Sequence, residues 1–233
     1  MKNLLIFINP AKKFLKWYGP SCEVQIENAF LMGWKKEDIL LVTNFEYEYN
    51  GVKSLVVPDS LFCEHRRRAS KINVICYLLE NEIIKELCWF HDFDAHQVQL
   101  FTEIETEIEG FDMAMTDYGY CPRSNSASFF FKPESKDIMG ALKYIYDKDR
   151  LNEETALDVL IKRNINNINS RYKKLNITYS MGRKREADYL ISRERAIKPY
   201  KVININPRYP IFEGFKPFMS KELLDIFKRH GFN

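Results

Sequence analysis

Two aspartates spaced two positions apart are the residues best suited to chemistry in this sequence. Asp92 and Asp94 lie in the segment WFHDFDAH, directly after an apolar run that ends at Phe90. In extended backbone, residues two apart point to the same side, so both carboxylates would face one site. Two carboxylates at such a short distance repel each other. Carboxylate oxygens are ligands that Mg²⁺ and Mn²⁺ prefer, so a bound cation would relieve the repulsion. The pair therefore predicts a divalent-metal site.

The same segment also fits a purely structural role. An Asp-x-Asp sequence is common, and either carboxylate could cap the turn that follows. A position just past a buried strand favours the metal, because ligands of open α/β sheets bind beyond the carboxyl ends of the strands. His91 and His96 flank the pair, and we interpret both as hydrogen-bonded structural residues in preference to metal ligands.

Alternating strands and helices are predicted to position this pair. Strands are predicted at residues 4–8, 39–42, 52–57 and 87–90, with helices at residues 20–32 and from residue 66 onward. The second half is predicted to add strands at residues 111–116, 128–132, 177–179 and 202–205, and helices at residues 138–146, 152–163 and 221–229. The order is typical of an α/β fold with a mainly parallel sheet flanked by helices. No repeat or linker divides the chain, so residues 1–233 are expected to form a single domain.

Bulk composition narrows the class of protein. The chain has 233 residues, 35 basic against 32 acidic, and the resulting charge of +3 neither requires nor excludes a nucleic-acid partner. Five cysteines without metal-like spacing indicate reduced thiols in a cytoplasmic setting. No window approaches the roughly 20 apolar residues of a membrane span, and the N-terminus is a poor signal peptide.

Several segments in order resemble the GT-A glycosyltransferases, a Rossmann-like family that uses a nucleotide-sugar donor and a divalent metal. The most specific match is Asp92-Phe93-Asp94, which is similar to the family's DxD motif. Asn125-Ser126-Ala127 resembles a strand that follows the metal site, and Asn152-Glu153-Glu154 resembles an acidic helix start beneath the acceptor. The resemblance implies a GT-A fold with a nucleotide-sugar-binding half at residues 1–100 and an acceptor-binding half at residues 101–233.

The resemblance also implies roles for individual residues. The metal, Mn²⁺ or Mg²⁺, would be bound by Asp92, Asp94 and Asn206, with Asn206 or water in place of a late histidine that many members have and this chain lacks near Lys198-Pro199. Donor contacts would come from Asn9, Pro10, Arg68, Lys71, Asp92 and Asn125. The base that activates an acceptor hydroxyl would be Glu153 or Glu154, with Asp117 as a weaker candidate.

Each of these residues has a plainer interpretation. Glu153 and Glu154 equally fit acidic residues that complement the macrodipole in a first helical turn. Asp117 precedes Tyr118-Gly119, which is ordinary turn chemistry. The basic run 66–68 is typical of a solvated surface, and Asn9-Pro10 of a simple strand stop.

The sequence predicts a metal-dependent glycosyltransferase, either a hexosyl- or a pentosyltransferase, located in the cytoplasm, or in the host cytoplasm if it is viral. The acceptor would be a glycan, a protein or a modified DNA base. Some viral enzymes of this resemblance act on hydroxymethylated pyrimidines, and basic residues at 183–185, Arg193 and Arg195 are compatible with DNA. A metal-dependent nuclease or nucleotidyltransferase is the alternative, and it would need Asp112 or Asp117 to converge on the aspartate pair. A binding module with a merely polar loop is the third hypothesis.

Overall fold

A computed structural model describes residues 1–182 and 186–232. Its strands are β1 (Lys2–Phe7), β2 (Ile39–Thr43), β3 (Glu48–Tyr49), β4 (Val52–Lys53), β5 (Leu55–Val56), β6 (Cys88–His91), β7 (Ala95–Gln97), β8 (Met113–Asp117), β9 (Ser124–Phe131), β10 (Tyr172–Leu175) and β11 (Val202–Asn204). Its helices are α1 (Tyr18–Leu31), α2 (Ser70–Glu80), α3 (Ile104–Glu107), α4 (Lys136–Asp149), α5 (Glu153–Lys162), α6 (Ile168–Arg171), α7 (Glu186–Arg195) and α8 (Lys221–Arg229).

A seven-stranded mixed sheet runs through the centre in the order β10-β8-β9-β6-β1-β2-β5. Strand β9 is antiparallel to both of its neighbours, and the other pairs are parallel. Two short antiparallel pairs, β7 with β11 and β3 with β4, lie outside this sheet. The prediction of a mainly parallel α/β sheet flanked by helices is confirmed.

Apolar side chains cover both faces of the central sheet. Leu4 packs in one cluster with Ile72 of α2, whereas its neighbour Leu5 packs in another with Cys22 and Ile26 of α1. Successive residues of a strand point to opposite faces, so a strand buried on both sides reads as an unbroken apolar run. This explains why the central strands were predictable from the sequence.

The carboxyl ends of the parallel strands meet along one edge of the sheet. Asn9, Asn44 and Asp92 follow β1, β2 and β6 at this edge, and Asp117 ends β8. Because β9 runs the opposite way, its first residues, beginning at Ser124, lie at the same edge. The predicted site residues on these strands are thereby gathered along one side of the molecule.

Several predicted elements differ from the structure. The strand predicted at residues 177–179 is a 3₁₀ helix, Ile177–Ser180, and the strand itself lies just before it as β10. Strand β10 is at the sheet border and carries two lysines, so it lacks the apolar pattern of a buried strand. The predicted strand at residues 52–57 is two short strands, β4 and β5. Strand β7 and helix α7 were not predicted, since β7 has only three residues and depends on its distant partner β11.

The remaining chain-level predictions concern cysteines and membrane spans. All five cysteines are free thiols, as the sequence indicated. Within the part of the chain that the structure describes, no helix is both long and apolar enough to cross a bilayer.

Candidate active site

Backbone hydrogen bonds hold the aspartate pair in a turn between β6 and β7. The Asp92 amide donates to the Ala127 carbonyl over 2.8 Å, and the Ala95 amide closes the turn on the Asp92 carbonyl over 2.9 Å. The Ile205 amide donates to the Asp94 carbonyl over 2.8 Å. The turn is therefore fastened to β9 on one side and to the end of β11 on the other.

A layer of buried polar side chains supports the turn from below. Gln25 of α1 donates from Nε2 to the Phe93 carbonyl over 2.9 Å, and the same nitrogen lies 2.8 Å from His96 Nδ1. His91 Nε2 lies 2.9 Å from Asn3 Oδ1. Burial lowers the pKa of both histidines to about 3, so they are neutral at physiological pH. This arrangement agrees with the structural interpretation of His91 and His96.

Lys71, on the first turn of α2, points into the same region. Its Nζ lies 2.9 Å from the Ser126 carbonyl, 3.4 Å from Asp92 Oδ1 and 3.7 Å from Glu153 Oε1. The side chain is only 9% exposed. Burial works to lower the pKa of Lys71, but the charges of Asp92, Glu153 and Glu154 raise it above its ordinary value. Lys71 is therefore a buried cation placed between the aspartate pair and the start of α5.

Asp92 lies among other carboxylates. Partial desolvation by the surrounding protein raises its pKa to about 6, and repulsion from Asp94 and Glu153 acts in the same direction, whereas Lys71 opposes the shift. An anion destabilised in this way gains from a further cation. The Asp92 side chain is 40% exposed, so a ligand in solvent has access to it.

The donor atoms at this turn fit a hard divalent ion that completes its shell from substrate and water. In the described residues, Asp92 and Asp94 belong to no cluster of three or more His, Cys, Asp or Glu ligand atoms lying within 4.8 Å of one another. The predicted third ligand, Asn206, accepts from both the Arg208 amide and Arg208 Nε at Oδ1, each over 3.0 Å. Mg²⁺ is commonly held by one or two carboxylates together with substrate phosphates and water. Two aspartates therefore suffice for such an ion.

The start of α5 lies on the other side of Lys71. Asn152 caps this helix by accepting from the Thr155 amide over 2.8 Å, which places Glu153 in the first turn. Glu153 is buried and accepts from Ser126 Oγ over 3.2 Å. Burial works to raise its pKa, but the charge of Lys71 and the helix amide lower it below the ordinary value. Glu153 is thus an ionised carboxylate that contributes to the charge balance around Lys71.

Glu154 has a different set of partners. The Tyr118 hydroxyl donates to it over 2.7 Å and the Ser126 amide over 3.2 Å. Arg123 Nε lies 3.9 Å from its other carboxylate oxygen. Both predicted acidic residues of this helix therefore reach β9 through Ser126, although only Glu153 contacts Lys71.

Asp117, the third predicted acid, is held by cations and a backbone amide. Its carboxylate lies 2.7 Å from Lys174 Nζ and 3.2 Å from Arg195 Nη2, and it accepts from the Gly119 amide over 2.7 Å. Burial works to raise its pKa, but these donors lower it overall. Strand β9 separates Asp117 from the strand that leads to Asp92.

The predicted nucleotide-contacting residues after β1 form a compact loop. Asn9 is buried, and its side chain donates to the Lys13 carbonyl over 2.6 Å and accepts from the Ala11 amide over 2.8 Å. Its own amide donates to Asn44 Oδ1 over 3.0 Å. Pro10 is exposed at the tip. Asn9 thus shapes the loop, and the exposed surface for a ligand comes from its neighbours.

Arg68 and Asn125 differ in exposure and in their partners. Arg68 is exposed, and its charge helps to lower the pKa of Glu153, so it contributes positive potential to this edge. Asn125 is buried, donates to Ser180 Oγ over 2.9 Å and accepts from the Ala127 amide over 3.1 Å. Asn125 therefore fixes the start of β9.

Sequence reasoning missed two residues that position the site, Gln25 and Ser126. Gln25 is a polar residue within the buried stretch Val24 to Ile26 of α1, and a polar side chain between apolar neighbours was the available signal. Ser126 is the common neighbour of Lys71, Glu153 and Glu154. Its contact with Lys71 depends on the pairing of β9 with β6, so no local sequence pattern indicated this role. The basic residues Arg183, Lys184 and Arg185 lie outside the described residues.

Similarity to known proteins is confined to three-dimensional structure. No protein-family profile and no curated protein sequence matches the chain. The galactosyltransferase LgtC, solved with donor and acceptor sugar analogs, superposes with a TM-score of 0.65 at 10% identity, covering 98% of this chain and 96% of that one. The fold is that of the GT-A glycosyltransferases.

Two further structures support the GT-A fold. A glycosyltransferase involved in the glycosylation of the major capsid of PBCV-1 has a TM-score of 0.57 at 11% identity, covering 88% of this chain and 93% of that chain. Mouse xyloside xylosyltransferase 1 has a TM-score of 0.56 at 11% identity, covering 90% and 99%. The predicted GT-A fold is confirmed.

Proposed function

We propose that this protein is a glycosyltransferase that moves a sugar from a nucleotide-sugar donor to an acceptor hydroxyl with the help of Mn²⁺ or Mg²⁺. The observation that carries the proposal is the position of Asp92 and Asp94 at the carboxyl edge of a GT-A sheet, with Lys71 3.4 Å from Asp92. Ligands of open α/β folds bind at this edge.

The donor diphosphate is assigned to the space in front of the aspartate pair. A divalent ion on Asp92 and Asp94 would offset the charge of the leaving nucleoside diphosphate. The chain itself adds positive potential from Lys71 and Arg68, one buried and one exposed. Asn206 Oδ1 is already engaged by Arg208, so its proposed role as third ligand requires that bond to exchange.

The nucleotide end of the donor is assigned to the loop after β1. In this proposal Asn9 holds the loop in shape and Pro10 presents its exposed surface. Asn125 keeps the neighbouring β9 start in register through Ser180. These residues act on the donor mainly by fixing the backbone around it.

Glu153 and Glu154 are the proposed acceptor-side carboxylates. Lys71 links their helix start to the aspartate pair, since its Nζ lies 3.4 Å from Asp92 and 3.7 Å from Glu153. A carboxylate in this position would take the acceptor proton if the enzyme inverts. Asp117 is less suited to that task, because Lys174 and Arg195 hold its charge in ion pairs.

The two alternative functions have less support in the geometry. A nuclease or nucleotidyltransferase would draw Asp112 or Asp117 toward the aspartate pair, but Asp112 pairs with Arg171 and Asp117 with Lys174. A binding module would not need a buried lysine between two sets of carboxylates, an arrangement that is costly to assemble in a protein interior. Glycosyl transfer gives a role to the aspartate pair, to Lys71 and to the carboxylates of α5. Its acceptor would be a glycan, a protein or a modified DNA base.

A donor screen tests the proposal. Melting temperature is measured with UDP-, GDP-, CMP- and dTDP-sugars, each with and without Mn²⁺, and hits are followed by calorimetric titration and product analysis. We expect one nucleotide class to stabilise the protein only when Mn²⁺ is present. No stabilisation by any nucleotide sugar with Mn²⁺, or hydrolysis of DNA or RNA in its place, would overturn the proposed function.

A further inference from the structure

A second group of potential metal ligands lies away from the aspartate pair. The Cys63 sulfur lies 3.4 Å from His65 Nδ1 and 3.7 Å from His65 Nε2. The sulfur, one of these ring nitrogens and a carboxylate oxygen of Asp147 all lie within 4.8 Å of one another. Among the described residues this is the single cluster of three or more His, Cys, Asp and Glu side chains with that spacing. Cys63 and His65 belong to the loop before α2, whereas Asp147 is on the last turn of α4.

We propose that Cys63, His65 and Asp147 bind Zn²⁺, with water in the fourth position. Zinc takes sulfur at about 2.3 Å and imidazole nitrogen at about 2.05 Å in tetrahedral geometry, which puts these two atoms roughly 3.5 Å apart. The 3.4 Å between the sulfur and Nδ1 matches that distance. Because the sulfur also lies 3.7 Å from Nε2, the exposed His65 ring must turn so that the Nδ1 lone pair points at the ion. The Asp147 oxygen, within 4.8 Å of the other two ligand atoms, completes the three-residue ligand set when its side chain moves closer to them.

The types of ligand select zinc over the hard ions expected at Asp92 and Asp94. A thiolate is a soft ligand that Mg²⁺ and Mn²⁺ do not favour, and a mixed set of sulfur, nitrogen and oxygen suits Zn²⁺. Binding would release the thiol proton of Cys63 to solvent. With one thiolate, one carboxylate and a neutral imidazole, the ligand charge of minus two balances that of the ion.

Asp147 is already oriented by a neighbour on its own helix. Lys143 Nζ donates to one carboxylate oxygen of Asp147 over 2.7 Å, one helical turn away. A second partner of this kind fixes the direction of a ligating carboxylate.

Such a site would connect α4 to the loop that leads to Lys71, and we call this metal-mediated connection the clip. The Cys63 amide donates to Ser70 Oγ over 2.9 Å, and Ser70 is the first residue of α2. An ion on Cys63 and His65 would thereby restrain the exposed stretch 64–68 between α4 and α2. That stretch includes Arg68, which adds positive potential near Glu153. The clip would hold Arg68 in place without touching the donor.

Metal binding is measured with Zn²⁺ and with Co²⁺ as its spectroscopic substitute. We expect the protein to bind one Zn²⁺ that survives Asp94→Asn, and Co²⁺ to give a sulfur-to-metal charge-transfer band. Cys63→Ser is expected to abolish the band and to weaken Zn²⁺ binding about 100-fold or more, the upper range for loss of even an outer partner. Cys121→Ser, at a partly exposed cysteine outside the cluster, is the matched control and should retain both.

His65→Asn keeps the test decisive if the buried Cys63 variant fails to fold, because His65 is exposed. It should lower zinc affinity in the same way while the melting temperature without metal stays unchanged. Zinc should also slow tryptic cleavage at Arg66, Arg67 and Arg68 in the wild type but not in His65→Asn. Zinc affinity equal in wild type and His65→Asn, or lost with Asp94→Asn, would overturn the site. Neither result depends on whether the protein transfers sugar.

Discussion

Lys71 Nζ lies 3.4 Å from Asp92 Oδ1 in a region where the lysine side chain is only 9% exposed. The same nitrogen lies 3.7 Å from Glu153, so one buried cation connects the proposed metal-binding turn with the proposed acceptor-side helix. In the proposed function such a cation would serve two purposes, because it offsets the charge of the buried carboxylates and would supply positive charge next to the donor.

Asp94→Asn should abolish Mn²⁺-dependent binding of a nucleoside diphosphate while the protein remains folded. The amide keeps the shape of the side chain but removes the negative charge that attracts the cation. Calorimetric titration with and without Mn²⁺ measures the effect, and circular dichroism checks the fold. Asp225→Asn, an exposed aspartate on α8, is the control. Equal affinities in Asp94→Asn and wild type would remove Asp94 from the site.

Lys71→Met should lower the free energy of unfolding by about 3 kcal/mol, the lower end of the range for breaking a buried ion pair. The variant leaves Glu153 buried without its cation. Adding Glu153→Gln should restore part of the loss, since the uncompensated charge is then removed. Urea unfolding of both single variants and the double variant forms the cycle. Strictly additive losses would mean that the 3.7 Å contact carries no coupling energy.

The double variant Glu153→Gln with Glu154→Gln should reduce turnover by about 10²-fold or more with little change in donor affinity. Loss of a general base typically costs about 10²–10⁴ in rate. Steady-state kinetics with the donor found in the screen measures the turnover number and the KM for the donor. The two single variants assign the effect, and Glu105→Gln, on an exposed part of α3, controls for loss of charge. Wild-type kinetics in the double variant would show that neither residue acts as a base and that both only complement the dipole at the start of α5.

Gln25→Leu should weaken Mn²⁺-dependent donor binding about tenfold without contacting the donor. Its Nε2 is 2.9 Å from the Phe93 carbonyl, between the two aspartates. Losing a partner that orients metal ligands typically costs 10–100-fold in affinity, that is, about tenfold at its lower limit. Titration of Mn²⁺ at saturating nucleotide measures the change. Ser21→Ala, at an exposed hydrogen bond on the same helix, is the control. Unchanged Mn²⁺ affinity in Gln25→Leu would show that the turn keeps its shape without this bond.

Asp117 should contribute to stability in a pH-dependent manner. Its pKa in the folded state lies below the unfolded value of about 3.9, because Lys174, Gly119 and Arg195 outweigh the effect of burial. A carboxyl with a depressed folded pKa stabilises the protein above its unfolded pKa, and this contribution is lost as the pH falls through the folded pKa. The urea midpoint of the wild type should therefore fall more steeply below about pH 4 than that of Asp117→Asn. Parallel curves would show that the ion pairs contribute nothing to folding.

The sequence by itself determined the parts of the fold whose signal is local. Residues 4–8, 39–42 and 87–90 read as buried strands because both faces of the sheet are covered, and Asp92 and Asp94 stood out because they follow such a strand. The GT-A resemblance rested on that placement, and the fold agrees with it.

The tertiary structure decided which neighbours each candidate acid has. Glu153, Glu154 and Asp117 looked alike in the sequence, yet Lys71 lies beside the first, Tyr118 beside the second, and Lys174 beside the third. The partners are more than 30 residues distant in the chain. For example, the pairing of β10 with β8 brings Lys174 to Asp117. Hydrogen bonds and ion pairs of that kind depend on distances that no local pattern encodes. The chemistry of a carboxylate is set by those distances, because its charge is stabilised or destabilised by whatever lies within a few ångströms.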